Sequence, residues 1–106
     1  DYLQQLLDER GLRRPEVVRQ AGINPTFGYQ IFVGQRNPSR NKLLQLAFAM
    51  KLSLRETNRL LQAGGCNELY CKNRRDAIII FCITHGETLQ TVDEQLYAFR
   101  EDTITE

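Results

Sequence analysis

A chain of 106 residues with a net charge of +1 has room for one core, or for a small domain with an appended helical piece, which excludes most large catalytic folds. Its 42% hydrophobic and 25% charged residues are ordinary globular composition, and no apolar run approaches the roughly 18 to 20 residues needed to cross a bilayer. Charge is uneven along the chain: residues 1–51 hold eight Lys or Arg against four acids, and the remainder is acidic. A polyanion is therefore expected to meet the N-terminal half.

The opening DYLQQLLDERG is amphipathic and acidic, without the basic and apolar regions of a secretory leader, and the missing initiator Met suggests a trimmed start. Three cysteines, Cys66, Cys71 and Cys82, are an odd number and too sparse for a disulfide scaffold. A reducing, cytoplasmic setting is expected.

Apolar residues recur at intervals of three and four from end to end, so the chain reads as all-α. Tyr2, Leu3, Leu6 and Leu7 make the stripe of a first helix that Gly11 closes. Pro15 suits a first helical position, Val17, Val18 and Ala21 give a short apolar face, and Gly22 ends the second helix. Asn24 is a cap and Pro25 again a first position, so a third helix follows at once and runs to about Phe32. After Gly34 and Asn37-Pro38, Ser39 caps a fourth helix with Leu43, Leu44, Leu46, Ala47 and Met50. Ser53 and Glu56 form a capping box for a fifth, which Gly64-Gly65 stops.

The expected organisation is a helical domain over 1–63, a connecting loop over 64–73, and a helical hairpin over 74–106. The hairpin comprises helices 74–85 and 89–99, with Gly86 and Thr88 between them. A shift of 35 residues superposes it on the preceding pair without a gap: Arg75 falls on Arg40, Ile78 on Leu43, Ile79 on Leu44, Phe81 on Leu46, Cys82 on Ala47, Leu89 on Leu54 and Leu96 on Leu61.

Two short helices joined by a tight glycine turn inside a five-helix unit have helix-turn-helix geometry. At these residues LLDERGLRRPEVVRQAGINPTFGYQIFVGQRNPSRNKLLQLAFAMKLSL resembles the Cro/C1-type (Xre-like) helix-turn-helix domain. The resemblance covers roughly residues 3–61 and rests on Glu16 and Val17, Ala21-Gly22-Ile23, Ile31, Gly34, Asn37-Pro38 and the Leu-Ser-Leu segment. It implies a lambda-repressor-like five-helix domain with the hairpin appended. It further implies a sequence-specific regulator that binds double-stranded DNA as a homodimer, with the third helix in the major groove. Carried over by position, Pro25, Thr26, Phe27 and Gln30 are base-edge candidates, Gln30 being suited to a bidentate pair with adenine. Arg13, Arg14, Gln35, Arg36 and Arg40 are phosphate candidates.

The stretch from Ala21 to Gln35 contains no Lys or Arg and carries Phe27, Tyr29 and Phe32, which is unusual for DNA contact. Gly28 stands where the family packs an aliphatic residue. Either the second and third helices approach closely there, or the aromatics turn inward. Outward aromatics would suit a protein partner, so Tyr29, Ile80 and Phe81 are protein-contact candidates, and an adaptor that keeps the scaffold without binding DNA is the alternative. The apolar run Ile78 to Phe81 makes the hairpin the candidate for a dimerisation or partner surface. Cys66, Cys71, Cys82 and His85 have zinc-ligand chemistry in a spacing foreign to the usual fingers. No nucleophile motif or phosphate loop is present, and a non-enzyme without metal or cofactor is expected.

Overall fold

A computed structural model of the chain, describing residues 1–105, places seven helices and no strand among the described residues, and side-chain caps set where all but the second begin. The Asp1 carboxylate accepts the Leu3 N–H and opens α1 (Tyr2–Arg10). In α2 (Arg14–Gln20) Pro15 is the second residue instead of the first, because Arg14 already has helical geometry. The Asn24 side chain accepts from the N–H groups of both Thr26 and Phe27 and fixes the start of α3 (Pro25–Phe32). Ser39 caps α4 (Arg40–Ala49), and the reciprocal Ser53–Glu56 box opens α5 (Leu54–Ala63). Asn73 and Thr88 cap α6 (Arg74–Thr84) and α7 (Leu89–Ala98), so the sixth helix stops one residue short of the expected His85. No helix of the described residues is long and apolar enough to cross a membrane.

The apolar stripes converge on one core, in which Leu6 and Leu7 of α1, Val17 and Val18 of α2, Leu43, Leu44 and Leu46 of α4, and Leu61 of α5 are continuous with Ile79, Val92, Leu96 and Ile104. Between α2 and α3 the chain turns on Gly22, whose φ of 71° is strained for a residue with a side chain, and the Ile23 N–H returns to the Val18 carbonyl. Gly28 then resolves the two alternatives for the third helix. A Cβ at this position would stand 2.4 and 2.6 Å from the two methyls of Val18. The helices approach closely because the side chain is absent. The aromatics consequently divide, Phe32 buried, Phe27 half-buried and Tyr29 exposed. From below, buried Gln45 of α4 donates Nε2 to the Ala21 carbonyl at 2.8 Å and ties the turn to the core.

Hairpins α4–α5 and α6–α7 are locally alike at the 35-residue shift. Arg40 donates to the carbonyls of Asn67 and Glu68, and Arg75 to those of Asp102 and Thr103. Asn58 accepts the Leu69 N–H, and Asp93 the Ile104 N–H. The contact between the hairpins is reciprocal: α4 packs on α7 and α5 on α6, Arg40 pairs with Asp76, and Arg75 bonds Asn41, the residue equivalent to Asp76. Like faces meet, as in an isologous dimer.

Candidate nucleic-acid interface

With Gly28, Ile31 and Phe32 turned to the core, α3 presents Pro25, Thr26, Tyr29 and Val33 to solvent and keeps Phe27 and Gln30 half-covered. Nothing charged lies on this face, but two arginines from outside α3 fold over it. The Arg14 guanidinium, from the first residue of α2, stands 4.8 Å from the centre of the Tyr29 ring. Arg36, which follows α3, lies 5.6 Å from the centre of the Phe27 ring and donates Nε to Oε1 of Gln30 at 3.1 Å. The turn at Gly34 makes the second contact possible, since the N–H groups of Gln35 and Arg36 both return to the Gln30 carbonyl. Each cation–π contact at such exposure is worth about 0.5–1 kcal/mol, enough to bias where the guanidinium rests while its donors stay available.

The structure therefore flanks a neutral helix with cations on its two sides. Arg13 and Gln35, the chain neighbours of Arg14 and Arg36, are exposed. Of the base-edge candidates, Pro25 and Thr26 are exposed in the first turn of α3. Phe27 packs partly on the core, and Gln30 has its oxygen occupied by Arg36 while its amide nitrogen has no protein partner among the described residues. The Asn24 oxygen is engaged in capping.

Arg40 does not join Arg14 and Arg36 beside α3. Its Nε donates to the Asn67 carbonyl at 3.1 Å, one terminal nitrogen to the Glu68 carbonyl at 3.0 Å, and both terminal nitrogens to the Asp76 carboxylate at 2.9 Å. Four of the five guanidinium protons are thereby used in holding the hairpins together, which removes Arg40 from the phosphate candidates. Burial opposes ionisation of Asp76, but the Arg40 hydrogen bonds, the Tyr70 N–H and the positive charges of Arg40 and Arg75 outweigh it and hold the carboxyl below its ordinary 3.8. The bonds from Arg40 to Asp76 are in turn the main reason the guanidinium is raised above its usual value.

The protein-contact candidates also separate. Tyr29 is 46% exposed and Phe81 59%, whereas Ile80 is half-buried and packs on the core. Cys66 is half-buried, Cys71 exposed and Cys82 buried, and among the described residues no group of three or more His, Cys, Asp or Glu converges as a metal site. His85 stacks on the Phe81 ring at 3.9 Å between centroids. Residue type alone does not disclose the Arg14–Tyr29 and Arg36–Gln30 pairs. Each joins α3 to a neighbouring segment, and the only sequence signal was a neutral helix with Arg on both sides.

Comparison with family models, with curated proteins and with solved structures returned no match.

Proposed function

We propose that the chain is a sequence-specific DNA-binding regulator of the Xre-like class. In this reading α2 and α3 form the helix-turn-helix, and α1 to α5 a lambda-repressor-like domain. The reading is carried by the arginine-flanked outer face of α3, with Arg14 and Arg36 placed on its two sides. A helix lying in the major groove runs between two phosphate strands, and cations on both of its sides meet both strands. Thr26 and Gln30 then reach base edges, Gln30 releasing Arg36 to pair bidentately with adenine while Arg36 moves to a phosphate. Two copies bind half-sites one DNA turn apart, since one such helix covers too little surface for useful affinity. The reading needs no cofactor and assigns no catalysis.

Salt dependence is the test. Binding of a labelled duplex, followed by anisotropy across a salt series, is expected to weaken linearly in log–log form. Arg14→Ala and Arg36→Ala are each expected to flatten the slope by about 0.9, the contribution of one phosphate contact. Slopes unchanged in both variants, or no association at low salt, would overturn the proposal. The exposed Tyr29 and Val33 favour a protein-binding adaptor as the second reading, and it predicts a partner interaction that Tyr29→Ala abolishes and salt leaves nearly intact.

A further inference from the structure

The reciprocal contact between the two hairpins gives each position on one a counterpart 35 residues away on the other. Leu46 has no exposed surface, yet its counterpart Phe81 is 59% exposed. Leu43 and Leu60 are buried, while their counterparts Ile78 and Gln95 are half-buried and exposed. A contact that treats both hairpins alike cannot cover Leu46 and leave Phe81 bare, so the cover over α4–α5 has another source. It comes from the N-terminal helices. Helix α2 packs on α4 and α1 on α5; α1 brings the leucine stripe Leu3, Leu6 and Leu7, and its Arg10 pairs with Glu56.

On α6–α7 the same seat is an open apolar groove lined by Ile78, Phe81, Cys82, Gln95 and Phe99. Arg74 stands at its mouth, 5.7 Å over the Phe99 ring and 3.7 Å from Glu101. We propose that this groove is a docking site for an amphipathic helix of a partner protein, carrying a leucine stripe like that of α1 and an acidic residue for Arg74. The structure supplies the precedent for the leucine stripe: on the equivalent hairpin, α1 packs its Leu3, Leu6 and Leu7 face against α5, with Arg10 pairing to Glu56. Helix-in-groove binding of this kind uses anchors at i, i+3 and i+4, the spacing of Leu3, Leu6 and Leu7.

A synthetic peptide of residues 1–11, which contains α1, is the probe, titrated into the isotope-labelled full chain and read by amide chemical shifts. Saturable shifts centred on Ile78, Phe81 and Phe99 are expected. Phe81→Glu and Phe99→Ser are each expected to weaken binding about ten-fold with the far-ultraviolet circular dichroism unchanged, since Phe81 is 59% and Phe99 48% exposed and neither belongs to the buried core. The proposal is overturned by an absence of saturable shifts, by shifts centred on Leu60 and Leu61 of α5, where the peptide would be displacing the chain's own α1, or by affinity indifferent to both variants. It is also overturned if the chain self-associates and Phe81→Glu makes it monomeric, because the groove then belongs to a second copy. None of these outcomes bears on the outer face of α3, so the DNA-binding reading stands or falls separately.

Discussion

Gly28→Ala lowers stability by about 2 kcal/mol, although an exposed helical Gly→Ala change ordinarily gains up to about 1 kcal/mol in propensity. The added methyl would fall 2.4 Å from one Val18 methyl, 2.6 Å from the other and 3.1 Å from the Val18 Cβ. A β-branched side chain on a helix has one strongly preferred rotamer, so Val18 cannot swing aside. The strain falls on the spacing of α2 and α3, and overpacking of this kind costs typically 1–3 kcal/mol beyond any propensity gain. Thermal melting is expected about 10 °C lower for a domain of this size. Val18→Ala opens a cavity and is destabilising alone, but it makes room for the methyl added at position 28. The double variant Gly28→Ala/Val18→Ala is therefore expected to be more stable than the sum of the two single effects by about 1 kcal/mol or more. Strict additivity would show that the helices do not meet at this point.

Asp76→Ala is expected to cost about 2–4 kcal/mol, measured by chemical denaturation at neutral pH. Asp76 is almost fully buried; its carboxylate accepts twice from Arg40 and once from the Tyr70 N–H, while its backbone N–H donates to the Asn73 side chain that caps α6. Its removal leaves the part-buried Arg40 charge facing no carboxylate, and unpairing one member of a buried pair costs more than the pair contributes net. The pH dependence has a definite sign. The carboxyl is held below its ordinary 3.8 in the folded chain, so its stabilisation is complete above the unfolded value and is lost as pH falls through the lowered one. The gap between native chain and variant is expected to be full at neutral pH and to close in strong acid. A gap independent of pH down to acid would mean that packing, and not the ion pair, carries the effect.

Helix ends were legible because their causes are local. Asn24, Ser39, the Ser53–Glu56 box and Thr88 each act within three residues, and each caps the helix expected of it. The role of Arg40 was not legible, because its partners lie 27 to 36 residues away. In sequence it looks like any arginine after a cap. Gly28 left two geometries open, and only the position of Val18 in space decides between them. The 35-residue repeat was visible, but not that the copies meet through like faces. That follows from the Arg40–Asp76 and Arg75–Asn41 bonds, in which equivalent positions carry different residues. The expected hairpin over 74–106 assigned no role to the tail after α7, yet Ile104 is buried and Asp93 holds its N–H, as Asn58 holds that of Leu69.

For the outer face of α3, the most direct measurement is selection from a pool of random duplexes followed by sequencing of the retained fraction. The account predicts enrichment of an inverted repeat whose half-sites are centred about 10 base pairs apart, and relaxation of a single base position in each half-site with Gln30→Ala. A pool that emerges unenriched, or an enriched motif that is indifferent to Gln30, Arg14 and Arg36 alike, would contradict it.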